Sequence, residues 1–356
     1  MAKILMKGAE AIAEAAIQAG CQAYFGYPIT PQNEVPEYFS KKMPKIGRVF
    51  LQAESEVASI NMVYGAASAG KRVMTSSSRP GIALMQEGIT YLAGSRLPCV
   101  VVNFMRGGPG LGGIQPSQSD YFQATSGCGN GDYYVPVYAP ATLQEMCDMT
   151  KEAFDVAEQY RTPVMILGDG MLGQMMEPVE FGDYVPRPQA DMSWATTGCN
   201  GNRPRNIANS LYIEQEELEK KNKELIDMYD EVKKNEVRWE EYHTEGAEII
   251  IGAYGTMARI VKSVIVQMDK EGGPKVGLIR PKTLWPFPDA AFAKAAEQES
   301  VKAIMSVEMS MGQMVEDVRL AVAGKKPVYF KGTLGGFVPT TQDMVAELVK
   351  LTEGRE

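Results

Sequence analysis

Histidine is almost absent from this sequence, with His243 the only one in 356 residues. Ser-His-Asp and Cys-His catalysis and multi-histidine metal sites are therefore close to excluded. Cysteine is scarce as well. Cys21, Cys99, Cys128, Cys147 and Cys199 are odd in number and far apart, with no Cys-x-x-Cys pair to hold zinc or an iron-sulfur cluster. Any metal cluster is expected on another chain. Excess positive charge is also lacking: 36 basic against 44 acidic residues give a formal charge of -8. That is the wrong sign for gripping phosphate backbones, so nucleic acid is not an expected partner. No apolar run approaches the roughly 20 residues of a membrane helix, and the first residues, Met1 to Lys7, are too short and too charged for a signal peptide. A cytoplasmic protein without a membrane partner is expected.

What is present is an ordinary globular composition, 45% hydrophobic and 22% charged, in a chain long enough for two domains. From Gly8 to Pro186 short apolar runs alternate with amphipathic stretches, the mark of an α/β fold with a mainly parallel sheet. Strands are expected at 23–26, 49–52, 72–76, 99–104, 135–138 and 164–167, with helices at 9–19, 56–69 and 142–160. The stretch from Pro186 to Asn209 is rich in Pro, Gly, Asn and Arg and reads as a linker. Leu211, Leu218, Leu225, Val232 and Trp239 then recur every seven residues, which predicts one long helix with a narrow apolar seam and His243 at the surface beyond it. From Ala247 the α/β rhythm resumes, with strands at 248–251, 276–279, 303–307 and 328–330 and helices at 257–268 and 341–351. The expected division is 1–185, a linker and helix over 186–245, and a second, smaller domain over 246–356.

Two motifs are decoys. Gly108-Pro-Gly-Leu-Gly-Gly113 has the form of a dinucleotide fingerprint after a strand, but the fingerprint needs a helix to begin inside the glycines, and Ile114-Gln-Pro116 interrupts one. A mobile active-site loop is the better reading. Gly168-Asp-Gly170, with Asn200 and Asn202 downstream, loosely matches a magnesium-diphosphate motif; the proline-rich spacer spoils it and favours a strand-end turn.

A wider combination carries more. Tyr27-Pro-Ile-Thr-Pro31 leaves one strand end, Gln52-Ala-Glu-Ser-Glu-Val57 opens a helix, Thr75-Ser-Ser-Ser-Arg-Pro-Gly81 leaves a second strand, and Asn103-Phe-Met-Arg-Gly-Gly108 a third. In a parallel sheet such carboxyl ends share one crevice, where ligands bind. A hydroxyl, a carboxylate and a guanidinium would meet there. These segments, in this order, resemble the alpha subunit of the 2-oxoacid:ferredoxin oxidoreductases. Gly255-Thr-Met-Ala-Arg259, Val276-Gly-Leu-Ile-Arg-Pro-Lys-Thr-Leu-Trp-Pro-Phe-Pro288 and Val307-Glu-Met-Ser-Met-Gly-Gln313 are similar to that family's transketolase-C-like domain. The Gln32-Asn33 after the proline turn and Gly168-Asp-Gly-Met-Leu-Gly-Gln-Met-Met176 most resemble the branched-chain type, acting on 3-methyl-2-oxobutanoate.

The resemblance implies a thiamine diphosphate pyrimidine-binding domain with a parallel sheet, then the transketolase-C-like α/β domain. It implies oxidative decarboxylation of a 2-oxoacid with coenzyme A and ferredoxin. A beta subunit would share the thiamine diphosphate and hold its diphosphate, Mg2+ and a 4Fe-4S cluster; gamma and ferredoxin-like subunits complete the expected assembly. On the matching positions, Glu56 would hydrogen-bond the pyrimidine and favour the tautomer that takes the C2 proton, with Glu54 the competitor. Arg106 would fork onto the substrate carboxylate, and Thr30 would donate its hydroxyl to the substrate. Pro28, Ser77, Ser78 and Gly81 would line the pyrimidine pocket, while Met105, Met171, Met175 and Met176 could line an apolar one or simply fill the core. Three alternatives stand beside this reading: the same chemistry on 2-oxoglutarate or pyruvate, a non-catalytic assembly subunit, and an NAD-linked enzyme built on the Gly108–Gly113 loop.

Overall fold

The computed structural model describes residues 3–352 except 183 and 189, with side chains through residue 349. Met1 and Ala2 of the leading segment lie outside the described residues. The first half alternates strand and helix: β1 (Ile4–Lys7), α1 (Gly8–Gln18), β2 (Ala23–Gly26), α2 (Glu34–Lys42), β3 (Val49–Gln52), α3 (Glu56–Ser68), β4 (Val73–Ser77), α4 (Arg79–Gly94) and β5 (Cys99–Met105). It continues with α5 (Tyr121–Thr125), β6 (Val137–Tyr138), α6 (Leu143–Tyr160), β7 (Pro163–Asp169), α7 (Gly170–Gln174) and β8 (Met176–Val179). Beyond the irregular linker come α8 (Gln215–Glu236), β9 (Trp239–Tyr242), β10 (Ile249–Gly252), α9 (Gly255–Glu271), β11 (Val276–Pro281) and β12 (Thr283–Trp285). The chain closes with α10 (Asp289–Glu297), β13 (Ala303–Glu308), α11 (Met314–Val322), β14 (Val328–Gly332) and α12 (Thr341–Thr352).

The expected α/β class is what the chain adopts. Strands β2 to β7 form a parallel sheet of order β6-β7-β5-β4-β2-β3. Val100, Val101 and Val102 in its centre are fully buried, as β-branched runs in doubly covered parallel strands are. Because these strands run the same way, the segments leaving β2, β3, β4, β5 and β7 emerge at one edge. A second sheet has order β14-β13-β10-β11-β9, parallel except for β9.

Two strands pair across the expected division. Strand β12, from the expected second domain, pairs antiparallel with β6 and extends the first sheet to seven strands, while β9, from the expected linker region, joins the second. The heptad pattern is also broken. Leu211 precedes α8 and is 71% exposed, Leu218 is 41% exposed, and Trp239 lies in β9, so the buried seam is Leu225, Met228, Tyr229 and Val232. The seven-residue spacing of Leu211 and Trp239 is coincidental, because neither residue lies in the helix.

The two sheets are joined by buried polar groups. Asp169 caps α7, accepting from the Met171 and Leu172 amides at 3.0 and 3.2 Å, and its other oxygen takes the Thr256 amide at 3.2 Å. This is the strand-end turn expected at Gly168-Asp-Gly170, now seen to bind the second domain. Gln118, fully buried, donates to the Tyr254 carbonyl and accepts from the Met309 amide. Arg280, 2% exposed, forks onto Glu145 at 2.6 and 2.9 Å and reaches Glu240 at 2.8 Å.

Candidate active site

The site gathers at the carboxyl edge of the first sheet. After β3 the chain turns through Ser55, whose hydroxyl accepts from the Ala58 amide at 3.1 Å and caps α3. Glu56 is therefore the first helical residue, where the helix dipole favours a carboxylate. Its side chain turns inward and is 6% exposed, whereas Glu54 is exposed. Of the two carboxylates the sequence offered, only Glu56 faces the interior.

The Ser77–Gly81 turn between β4 and α4 meets it. A Cβ added to Gly81 would overlap Ser77 Oγ and come within 2.6 Å of Glu56 Oε1, so the turn can press against the carboxylate only because residue 81 has no side chain. Ser77 Oγ is buried without a hydrogen-bond partner, and so is Thr75 Oγ1 on the same strand. Ser78 instead spends its hydroxyl on the Phe104 carbonyl at 2.7 Å, a bond that locks the turn onto β5. A buried carboxylate beside an orphaned hydroxyl is a pair suited to hydrogen-bonding the edge of a nitrogen-bearing ring such as an aminopyrimidine.

Arg106 follows directly on β5 and is 6% exposed. Its Nη1 donates to the Thr30 carbonyl at 2.8 Å and its Nη2 to the Leu111 carbonyl at 3.2 Å, while Nε is buried without a partner. Thr30 is thus brought to Arg106 through its backbone; its side chain is exposed, and Pro28 on the same turn is half-buried. The turn is fastened from the far side by Gln174, which donates to the Pro31 carbonyl at 2.6 Å. Thr30, Pro31, Ile114, Gly170, Met171, Met175 and Met176 belong to the lining of an open cavity of about 970 Å3. Met105, in contrast, is 1% exposed and fills the core.

The glycine-rich stretch after Arg106 opens no helix; the next helical residue is Tyr121. It folds back on itself, with the Gly107 amide on the Gln115 carbonyl at 2.9 Å and the Gly113 amide on the Gly107 carbonyl at 3.0 Å. Where it returns, Asp120 lies 2% exposed beside Arg79, accepting from Asn103 Nδ2 at 3.1 Å. Burial pushes the Asp120 carboxyl up to about 6, against the pull of Asn103, Arg79 and Arg106. The sequence reading passed over both Asp120 and Arg79. Asp120 carries a signal, since it closes the polar run Ser117-Gln-Ser-Asp120 directly behind the loop; Arg79 lies within Thr75–Gly81, where nothing in the sequence singles it out.

Among the described residues no helix is long and apolar enough to cross a membrane, and no group of three or more His, Cys, Asp or Glu side chains could hold a metal ion. The family model described as pyruvate flavodoxin/ferredoxin oxidoreductase, thiamine diphosphate binding, matches residues 14–249, and that of pyruvate:ferredoxin oxidoreductase core domain II matches 247–344. The chain is 47% identical over 348 residues to ketoisovalerate oxidoreductase subunit VorB of Methanothermobacter marburgensis, covering 98% of this chain and 97% of that one. It is 33% identical to 2-oxoglutarate synthase subunit KorA of Methanothermobacter thermautotrophicus, covering 97% and 98%. In structure it is similar to the 2-oxoglutarate:ferredoxin oxidoreductase from Magnetococcus marinus, with TM-score 0.87 and 29% identity over 98% of this chain; this chain spans 65% of the length of that one. A split-gene transketolase, at TM-score 0.60 and 15% identity over 99% of both chains, shares the fold. The segments that meet at the sheet edge and both halves of the chain thus lead to one place: the chain belongs to the pyruvate flavodoxin/ferredoxin oxidoreductase family, with a thiamine-diphosphate-binding domain followed by that family's core domain II.

Proposed function

We propose that this chain is the pyrimidine-binding subunit of a branched-chain 2-oxoacid:ferredoxin oxidoreductase of the cytoplasm, turning 3-methyl-2-oxobutanoate, coenzyme A and oxidised ferredoxin into acyl-CoA, carbon dioxide and reduced ferredoxin. A partner beta subunit carries the diphosphate, Mg2+ and a 4Fe-4S cluster, with gamma and ferredoxin-like subunits completing the assembly. The observation that carries the reading is the Glu56 carboxylate, buried at a helix start against the bare Cα of Gly81 and the unpartnered Ser77 hydroxyl. Thiamine diphosphate, when bound, supplies the carbanion chemistry. Glu56 holds a proton on a pyrimidine ring nitrogen, and its burial strengthens that charge-assisted hydrogen bond. Pro28, Ser77, Ser78 and Gly81 form the ring's walls. Arg106 receives the 2-oxoacid carboxylate on its unpartnered Nε edge, and Thr30 offers the hydroxyl that its exposed side chain leaves available. Met171, Met175 and Met176 supply an apolar wall suited to a branched alkyl group, in keeping with the 47% identity to the ketoisovalerate subunit against 33% to the 2-oxoglutarate one.

The test is reconstitution with partner subunits, followed by kcat/KM for 3-methyl-2-oxobutanoate, pyruvate and 2-oxoglutarate. The branched substrate should lead pyruvate by at least roughly 10- to 200-fold, the range a single methylene commands in an apolar pocket. A preference for 2-oxoglutarate would refute the assignment.

A further inference from the structure

Loop 107–119 contains five glycines with different reasons for being glycine. Gly110 and Gly112 have φ of +65° and +62°, which side chains resist. Gly108 has no such need, yet a Cβ there would fall on the Arg79 guanidinium, with Nη2 at 2.5 Å. Its missing side chain makes room for an arginine. Arg79 begins α4, where the helix dipole disfavours a cation, and it is held there by other means. Its Nη1 donates to Ser119 Oγ at 2.8 Å, and its Nε lies 3.6 Å from the buried Asp120 carboxylate. One side chain therefore touches the loop where it departs, at Gly108, and where it returns, at Ser119 and Asp120. On its own backbone Arg79 stands between Ser78 and Gly81, the turn that faces Glu56. The same loop supplies the Leu111 carbonyl that fixes Arg106 Nη2 at 3.2 Å.

We propose that Arg79 is a positioning residue that clasps both ends of the glycine-rich loop and so holds Arg106 in register with the Ser77–Gly81 turn for binding of a 2-oxoacid carboxylate. The clasp rests on the function proposed above for its substrate, but the loop's fastening does not. It acts on where the substrate guanidinium sits; Arg79 itself need not touch substrate.

The experiment uses the assembled enzyme with Arg79→Ala, Gly108→Ala and the double variant, reading amide exchange at Gly107 and Gly113 alongside steady-state kinetics. Arg79→Ala should speed exchange at both amides by about 10-fold or more, since their hydrogen bonds close the loop. KM for the 2-oxoacid should rise about 10- to 100-fold, with affinity for thiamine diphosphate changed less than threefold, because a displacement of about an ångström suffices for such losses. Gly108→Ala should do the same by displacing the guanidinium, and the double variant should be no worse than Arg79→Ala alone. Should Gly108→Ala fail to assemble, assembly of the double variant supports the clasp and its failure counts against it. Additive losses in the double variant, unchanged exchange in Arg79→Ala, or a loosened loop with unchanged KM would each overturn the proposal. A wild-type enzyme inactive on every 2-oxoacid would strike the functional reading instead, and the exchange data would still decide whether Arg79 fastens the loop.

Discussion

Gly81 shows how much a single absent methyl group decides at this site. With Ser77 Oγ and Glu56 Oε1 both inside the space a Cβ would take, Gly81→Ala must push the carboxylate away from the turn or open the turn itself. Thiamine diphosphate affinity should fall about 10-fold or more, measured by equilibrium binding to the assembled enzyme. Glu56→Gln keeps the shape and removes the charge. It should assemble and bind cofactor while C2 proton exchange, followed by NMR, drops about 100-fold or more; Glu54→Gln, on an exposed side chain, should leave exchange within threefold of wild type. Arg106→Lys is a different kind of loss. An ammonium cannot reach the Thr30 and Leu111 carbonyls while presenting a planar edge to a carboxylate. The carboxylate is common to all 2-oxoacids, so kcat/KM for branched, straight-chain and dicarboxylic substrates should fall by similar factors. A loss confined to 2-oxoglutarate would mean that Arg106 reads the distal carboxylate.

At the scale of elements, α8 separates what a repeat in the sequence promises from what packing delivers. Leu225 is 7% exposed and Leu211 is 71% exposed, although both lie on the same seven-residue series. Leu225→Ala should therefore cost about 2–3 kcal/mol in denaturant unfolding, while Leu211→Ala should stay within about 0.5 kcal/mol. Periodicity recorded a helix correctly but overran both its ends, because apolar side chains just outside a helix can fall in step with it by chance. Strands 23–26 and 49–52 were legible to the residue, being short apolar runs ended by turn-forming or polar residues. Helix α4 was not, since Arg79-Pro-Gly81 reads as a turn even though proline is welcome in the first turn of a helix. Of the site, the residues on strand ends were readable as chemistry. Gln118 was not, because its importance comes from burial between segments far apart in sequence.

At the scale of the molecule, the two halves do not meet as independent bodies, and their junction should be visible in the pH dependence of stability. β12 crosses into the first sheet, and directly before it Arg280 is fully surrounded, its charge met by Glu145 from α6 and Glu240 from β9. Burial acts to raise the Glu145 carboxyl, but the Arg280 fork, helped by the Ala141 amide and Lys282, overrides it and holds it at about 2, below its usual 4.5. A carboxylate held below its unfolded value binds fewer protons in the folded chain, so its contribution is complete above pH 4.5 and disappears as pH falls toward 2. Asp120 works in the opposite sense. Its carboxyl, pushed up to about 6, leaves the folded chain binding the extra proton between pH 3.8 and 6, so its contribution is present in acid and lost as pH rises through 6. Glu145→Gln should lower stability at pH 7 by about 3 kcal/mol, because it leaves the buried guanidinium underpaired, and should flatten the acid limb between pH 4.5 and 2. Asp120→Asn should remove the opposing slope between pH 4 and 6 and leave the acid limb intact. Denaturant unfolding of both variants across pH 2 to 7 separates the two effects; Glu240 and Glu152, also held against burial below the usual carboxylate value by arginine and lysine partners, keep part of the acid limb in either variant, so a limb as steep in Glu145→Gln as in the wild type would show that the Arg280–Glu145 pair contributes nothing to it.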